Sequence, residues 1–165
     1  MSKASAKPAE KKPPVAIDSR DVAPRIGTGY PPPYDEICRH REKRKLGDVF
    51  GLTQLGINLT TLPPGQGSSL RHWHENEDEF VYIVEGELTL ITDDGEQIMT
   101  PGMCAGFRAG AGNGHHLVNR SDKPASYLEI GTRAEKEVAY YSDIDLMTVK
   151  DGGEFRYTTR DGKPV

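Results

Sequence analysis

The chain has 165 residues, of which 35% are hydrophobic and 28% charged, with 18 glycines, 12 prolines and a formal net charge of -4. That length suits one domain with a core of its own, the glycine and proline content favours many short strands, and the acidic balance argues against nucleic acid as a partner. No apolar run approaches the roughly 20 residues that a membrane span needs, so no membrane partner is expected.

The first stretch, "MSKASAKPAEKKPP", has lysines with no apolar segment behind them, unlike a secretory signal. Residues 1–16 have almost nothing to bury and read as a disordered tail. Residues 17–49 read as an extended N-terminal arm, with several prolines including "YPPPY" at 30–34. Within it, "DEICRHREKRKLGD" suits a short helix or an irregular basic loop, and the basic run "CRHREKRK" reads as a solvated face. The two cysteines, Cys38 and Cys104, are too few for a disulfide framework and point to free thiols in a reducing cytoplasm. Cys104 reads as a small buried thiol.

From Phe50 the pattern changes. "FGLTQLGINLTTL" alternates and stops at "PPGQG". "EFVYIV" is closed by Glu85-Gly86, "ELTLIT" runs into the hairpin signal "DDGE", and "QIMT" stops at Pro101-Gly102. "MCAGFR", "HHLVN", "SYLEI" and "EVAYY" are further strand candidates, with the glycine-rich "AGAGNG" as a flexible turn at the rim. Short strands at this spacing predict an all-β sandwich or barrel over residues 50–141. Residues 142–165 read as a C-terminal extension packed on it, with a last hairpin around "KDGGEFRY".

The chemistry concentrates in the histidines. Of five in the chain, four fall in two clusters, His72 with His74 and His115 with His116. Residues i and i+2 of a strand share a face, so His72 and His74 point the same way. A turn after His74 could bring Glu79 back beside them, and His115 opens the strand "HHLVN" downstream. Three imidazoles and a carboxylate suit a first-row divalent metal. His116 has the opposite parity to His115 and reads as an outward or supporting residue.

His72-x-His74, four residues, Glu79, six residues, Gly86 resembles the first cupin motif. Gly102, five residues, Arg108-x-Gly110, a spacer, His115, three residues, Asn119 resembles the second. The resemblance spans about residues 50–131, with Arg108 at the place where cupin motifs usually carry proline and a longer spacer before His115. It implies a double-stranded β-helix, the cupin jelly-roll barrel. It further implies one divalent metal per chain, iron, manganese, nickel or zinc, held in the barrel mouth by His72, His74, Glu79 and His115.

Parity then places Leu70, Val81, Ile83, Leu117 and Asn119 inward with the ligands, predicting a largely apolar cup for a small organic molecule. Phe80, Tyr82 and Val84 face outward and are apolar too, so something covers them: a sheet edge, the N-terminal arm or, as cupins commonly pair, the second subunit of a homodimer. The functional expectation is a metal-dependent enzyme of dioxygenase, isomerase or lyase type, with a non-catalytic metabolite-binding or sensor protein as the alternative. Tyr127, Glu129 and Arg108 are the candidate acids and bases, and their facing decides among them.

Overall fold

Each alternating stretch becomes a strand where a turn closes it. The computed structural model describes residues 12–165; residues 1–11 of the expected tail lie outside the described residues. The strands are β1 (Arg25–Ile26), β2 (Glu42–Lys45), β3 (Leu55–Leu62), β4 (His72–His74), β5 (Glu79–Glu85), β6 (Leu88–Thr92), β7 (Gly95–Met99), β8 (Cys104–Phe107), β9 (His116–Val118), β10 (Ala125–Thr132), β11 (Glu137–Tyr141), β12 (Met147–Asp151) and β13 (Glu154–Thr158). One four-residue α-helix, Leu46–Val49, links β2 to β3.

The strands pair antiparallel in three sheets, ordered β1-β2-β3-β10-β5-β8, β13-β12-β11-β4 and β7-β6-β9. An antiparallel bridge between His72 and His115 joins the second sheet to the third. Two layers thus face each other across one core, formed by Leu62, Val81, Ile83, Leu88, Leu90, Met99, Leu117, Ala125 and Tyr127. This is the jelly-roll barrel expected from the strand pattern. Gly86 makes the turn from β5 to β6 with φ +77°, and a Cβ there would lie 2.7 Å from the Ala125 side chain. Only glycine fits both conditions.

The basic run starts at the end of a 3-10 turn, Glu36–Cys38, and continues through a short irregular segment, but it is not helix or loop throughout. Its second half is β2, which pairs with both β1 and β3, so two strands of the large sheet precede residue 50. The closing hairpin around "KDGGEFRY" is β12 and β13. Cys38 is fully buried, whereas Cys104 is exposed, contrary to the buried thiol expected. The register explains it: Cys104 lies opposite Tyr82, and both belong to the outward set of their strands.

Candidate metal centre

The site is built by three adjacent pieces of strand. β4 carries His72 and His74, both on its inner face. Reciprocal backbone hydrogen bonds, His72 N–H to His115 C=O at 3.2 Å and His115 N–H to His72 C=O at 2.9 Å, lock the third histidine beside the first. Glu79 opens β5, where burial alternates as parity demands: Val81 and Ile83 are inside, Phe80, Tyr82 and Val84 outside. The rim loop before His115 is pinned at its end by Asn113, which accepts from Asp93 N–H at 2.9 Å and donates to Asp94 at 2.6 Å.

The four side chains converge. His72 Nε2 is 3.1 Å from His74 Nε2, and Glu79 Oε2 lies 3.5 Å from His74 Nε2 and 3.1 Å from His115 Nε2. His72, His74 and Glu79 have donor atoms mutually within 4.8 Å, and His115 joins through Glu79. Donors bound at about 2.1 Å stand about 3.0 Å apart at right angles and about 3.4 Å apart at tetrahedral angles. The observed separations match that range.

The far nitrogen of every imidazole faces an oxygen acceptor. His72 Nδ1 meets the Leu70 carbonyl at 2.9 Å, His74 Nδ1 meets Glu137 Oε1 at 3.3 Å, and His115 Nδ1 meets the Asn113 carbonyl at 3.4 Å. Each acceptor fixes the proton on Nδ1 and turns the Nε2 lone pair toward the common point. With Nδ1 carrying the proton, the Nε2 lone pairs and the Glu79 oxygen at such distances need either an added proton or a metal cation among them, and the donor set fits a metal.

The electrostatics agree. Burial pushes the His72 imidazole down to about 3, with His74 adding to the effect. Burial pulls on His74 as well, but hydrogen bonds to Glu137 and Glu79 override it and raise that imidazole to about 10. Burial raises Glu79, yet hydrogen bonds from His115 and His74 prevail and hold it well below the usual carboxylate range. Positive charge is favoured at the His74 ring, which has Glu137 at Nδ1 and Glu79 at Nε2.

The family description "Cupin domain" matches residues 58–131. A sugar phosphate isomerase of the cupin superfamily from Silicibacter pomeroyi is 47% identical, with a TM-score of 0.88, over 91% of this chain and 96% of that one. The chain belongs to the cupin superfamily. A candidate sugar phosphate isomerase from Acidithiobacillus ferrooxidans is 29% identical over 76% of this cupin and 80% of that chain, with a TM-score of 0.70. The polyketide cyclase RemF from Streptomyces resistomycificus shares the fold, with a TM-score of 0.58 at 19% identity over 71% of this cupin and 78% of that chain. No curated protein matches.

The cupin's donor cluster opens into a cavity of about 600 Å³. Val81, Leu90, Phe107 and Leu117 supply an apolar floor, but the wall is charged, unlike the largely apolar cup that parity suggested. Phe107 stacks on the His115 ring at 3.5 Å between centroids, which fixes the ring plane. Of the acid–base candidates, Tyr127 and Glu129 line this cavity, while Arg108 lines a second one of about 250 Å³ that also borders His74 and His115. His116 Nδ1–H donates to the Ser69 carbonyl, 3.0 Å away, so His116 borders the cavity without joining the donor cluster.

Glu137 went unnoticed in the sequence. It is buried, meets His74, and accepts from the backbone N–H groups of Glu75 at 2.9 Å and Asn76 at 2.8 Å. The signal was its place in "EVAYY", where Glu137, Ala139 and Tyr141 share the inward parity. His74, Glu77 and Glu137 form a second group of potential ligands. Its carboxylates are already satisfied, Glu137 as above and Glu77 by Lys150 at 3.0 Å and Ala134 N–H at 2.9 Å.

Proposed function

We propose that this cupin is a metal-dependent isomerase that moves a proton between adjacent carbons of a small phosphorylated sugar. The observation that carries the reading is the common orientation of three imidazoles whose Nδ1 atoms are all occupied by oxygen acceptors. The designation of the Silicibacter and Acidithiobacillus relatives supports the choice of reaction. One divalent iron, manganese, nickel or zinc ion bound by His72, His74, Glu79 and His115 would supply Lewis-acid polarisation of the sugar's carbonyl oxygen.

The chain's own proton carrier is Glu129. It pairs across the sheet with Val81, one inward step from Glu79, which puts the two carboxylates on one face as diagonal neighbours. Its Oε1 accepts from Lys43 Nζ at 2.7 Å and Asn58 Nδ2 at 3.1 Å, and its Oε2 faces the buried Tyr127 hydroxyl at 3.5 Å. Oε2 takes the proton from the carbon beside the carbonyl, and the C–H electron pair becomes the double bond of an enediol. The former carbonyl oxygen takes a proton from the solvent, the carboxyl returns its proton to the former carbonyl carbon, and the neighbouring hydroxyl loses its own proton to the solvent and becomes the new carbonyl. One proton thus leaves oxygen for each that the former carbonyl oxygen gains, and the product is an isomer.

The test is solvent exchange. Metal-loaded protein in D₂O, given aldose and ketose monophosphates, should place deuterium beside the carbonyl of one pair by NMR, and Glu129→Gln should slow this about 10²–10⁴-fold. No exchange into any sugar phosphate by protein shown to hold metal would overturn the reading.

The outer face of the large sheet supports a homodimer as part of the same proposal. Tyr82 lies beside Leu128, which lies beside Leu59, and Phe80, Ile130 and Ile57 form a second such row. Phe80, Tyr82 and Val84 are 39%, 41% and 47% exposed, so the described residues cover them only in part. A second copy of the chain buries these rows.

A further inference from the structure

The basic run at residues 38–45 does not face bulk solvent as a whole. Arg25 of β1 sits opposite Lys43 of β2, and Arg41, Lys43 and Lys45 follow one another at the period of a strand. All four line the cavity of the metal centre. Their counter-charges differ. Lys43 is paired with Glu129 at 2.7 Å and Lys45 with Asp48 at 3.8 Å, while across the cavity Lys150 is paired with Glu77 at 3.0 Å. Among the described residues, neither Arg25 nor Arg41 has a carboxylate within ion-pair distance.

Arg41 is half-buried and held by neutral groups alone. Its guanidinium donates to the Ser68 carbonyl and, at 3.2 Å, to the Gly27 carbonyl, and its Nε–H is buried with no acceptor. A desolvated guanidinium with an unused donor and no counter-ion is costly unless a ligand supplies the anion. It is also close to the chemistry. Ser68, which anchors Arg41, precedes Ser69, whose hydroxyl meets His72 Nδ1 at 3.2 Å.

We propose that Arg25 and Arg41 form the phosphoryl-binding subsite of this cavity, with Lys43 beside them, so that the substrate is a sugar monophosphate lying with its phosphate on β1 and β2 and its carbonyl end at the histidines. This deepens the isomerase reading and rests on it for the carbonyl end. A phosphate monoester carries close to two negative charges at neutral pH, which suits two guanidinium groups better than a carboxylate would. The cavity volume of about 600 Å³ falls within the range of about 300–1,000 Å³ that small-ligand sites occupy.

Inorganic phosphate is the probe, titrated by calorimetry into the full chain, zinc-loaded and zinc-free, with acetate as the control anion. Wild type should bind phosphate in both forms and acetate in neither. Arg25→Met and Arg41→Met should each weaken phosphate binding about 10- to 100-fold at unchanged zinc content. Among the described residues Arg25 makes no side-chain hydrogen bond, so its variant keeps the test valid if loss of the Arg41 carbonyl contacts disturbs the fold. No phosphate binding by wild type, equal binding by both variants, or equal binding of acetate would overturn the subsite. Deuterium exchange separates the two claims. Exchange into glucose but not glucose 6-phosphate overturns the subsite and leaves an isomerase, whereas arginine-dependent phosphate binding without exchange into any sugar phosphate leaves the subsite and overturns the isomerase.

Discussion

Glu137→Gln tests whether the buried carboxylate behind His74 tunes the metal centre or merely closes a loop. Glu137 makes three contacts: His74 Nδ1 at 3.3 Å and the backbone N–H groups of Glu75 and Asn76 at 2.9 and 2.8 Å. Glutamine keeps the shape and one oxygen but loses the charge and one acceptor, and it turns an N–H toward a donor. A lost charge-assisted bond is worth about 1.5–3 kcal/mol, and because Glu75 and Asn76 are exposed and water can reach them, the low end applies, so the metal-free protein should lose about 1–2 kcal/mol. Loss of a carboxylate that orients a ligating imidazole typically weakens metal binding about 10- to 100-fold. Take about 30-fold. At free zinc about 100 times the wild-type Kd, the metal should stabilise wild type by about 2.7 kcal/mol and Glu137→Gln by only about 0.9 kcal/mol. Urea denaturation with and without zinc, and competition with a chelating dye, measure both quantities. A zinc Kd within about threefold of wild type, in a variant that has lost the predicted stability, would refute the orienting role and leave Glu137 as a loop clamp.

Protein purified without added metal and without a histidine tag should hold about one equivalent of a divalent transition metal by elemental analysis, and His72→Ala or His115→Ala should hold less than about a tenth of that while still folding. A variant with wild-type metal content would remove that histidine from the ligand set. Gly86→Ala should destabilise by about 3 kcal/mol or more in chemical denaturation, because a left-handed alanine costs about 1–2 kcal/mol and its Cβ would also press on Ala125. Tyr82→Glu should convert the protein from a dimer to a monomer in sedimentation with its β-sheet circular dichroism unchanged, and a wild type that sediments as a monomer would overturn the pairing.

What could be read from the chain depended on the period of the pattern. The strands from β3 onward alternate visibly, and turn residues such as Gly86 and the "DDGE" hairpin bound them, so the jelly roll followed. The parity of β5 and β9 was equally legible: Val81, Ile83, Leu117 and Asn119 are buried, and Phe80, Tyr82 and Val84 are not. β2 was hidden because "EKRK" shows no apolar alternation, and it is a strand only because β1 and β3 supply its hydrogen bonds. Cys104 was misplaced for a related reason. Its face is set by its register against Tyr82, and register between strands about twenty residues apart is not written in either strand alone.

The donor set and the charged wall differ in the same way. His72 and His74 are neighbours on one strand, and local geometry alone sets them side by side, while Glu79 and His115 join them from other strands. The wall depends on pairings between distant segments: the charge of Lys43 is answered by Glu129, 86 residues away, whereas Arg41 meets only carbonyl oxygens. A run of like charges in a sequence therefore says little about where net charge remains after folding. In this cupin the neutralised lysine stands beside the proposed proton carrier, with one unanswered arginine opposite it on β1 and the other just ahead of β2. A substrate anion at those arginines would meet a surplus of positive charge without displacing Glu129 from Lys43. The carboxylate could then stay where the reaction needs it while the phosphate is held, and that division of labour is what makes the arginine variants and Glu129→Gln separable by experiment.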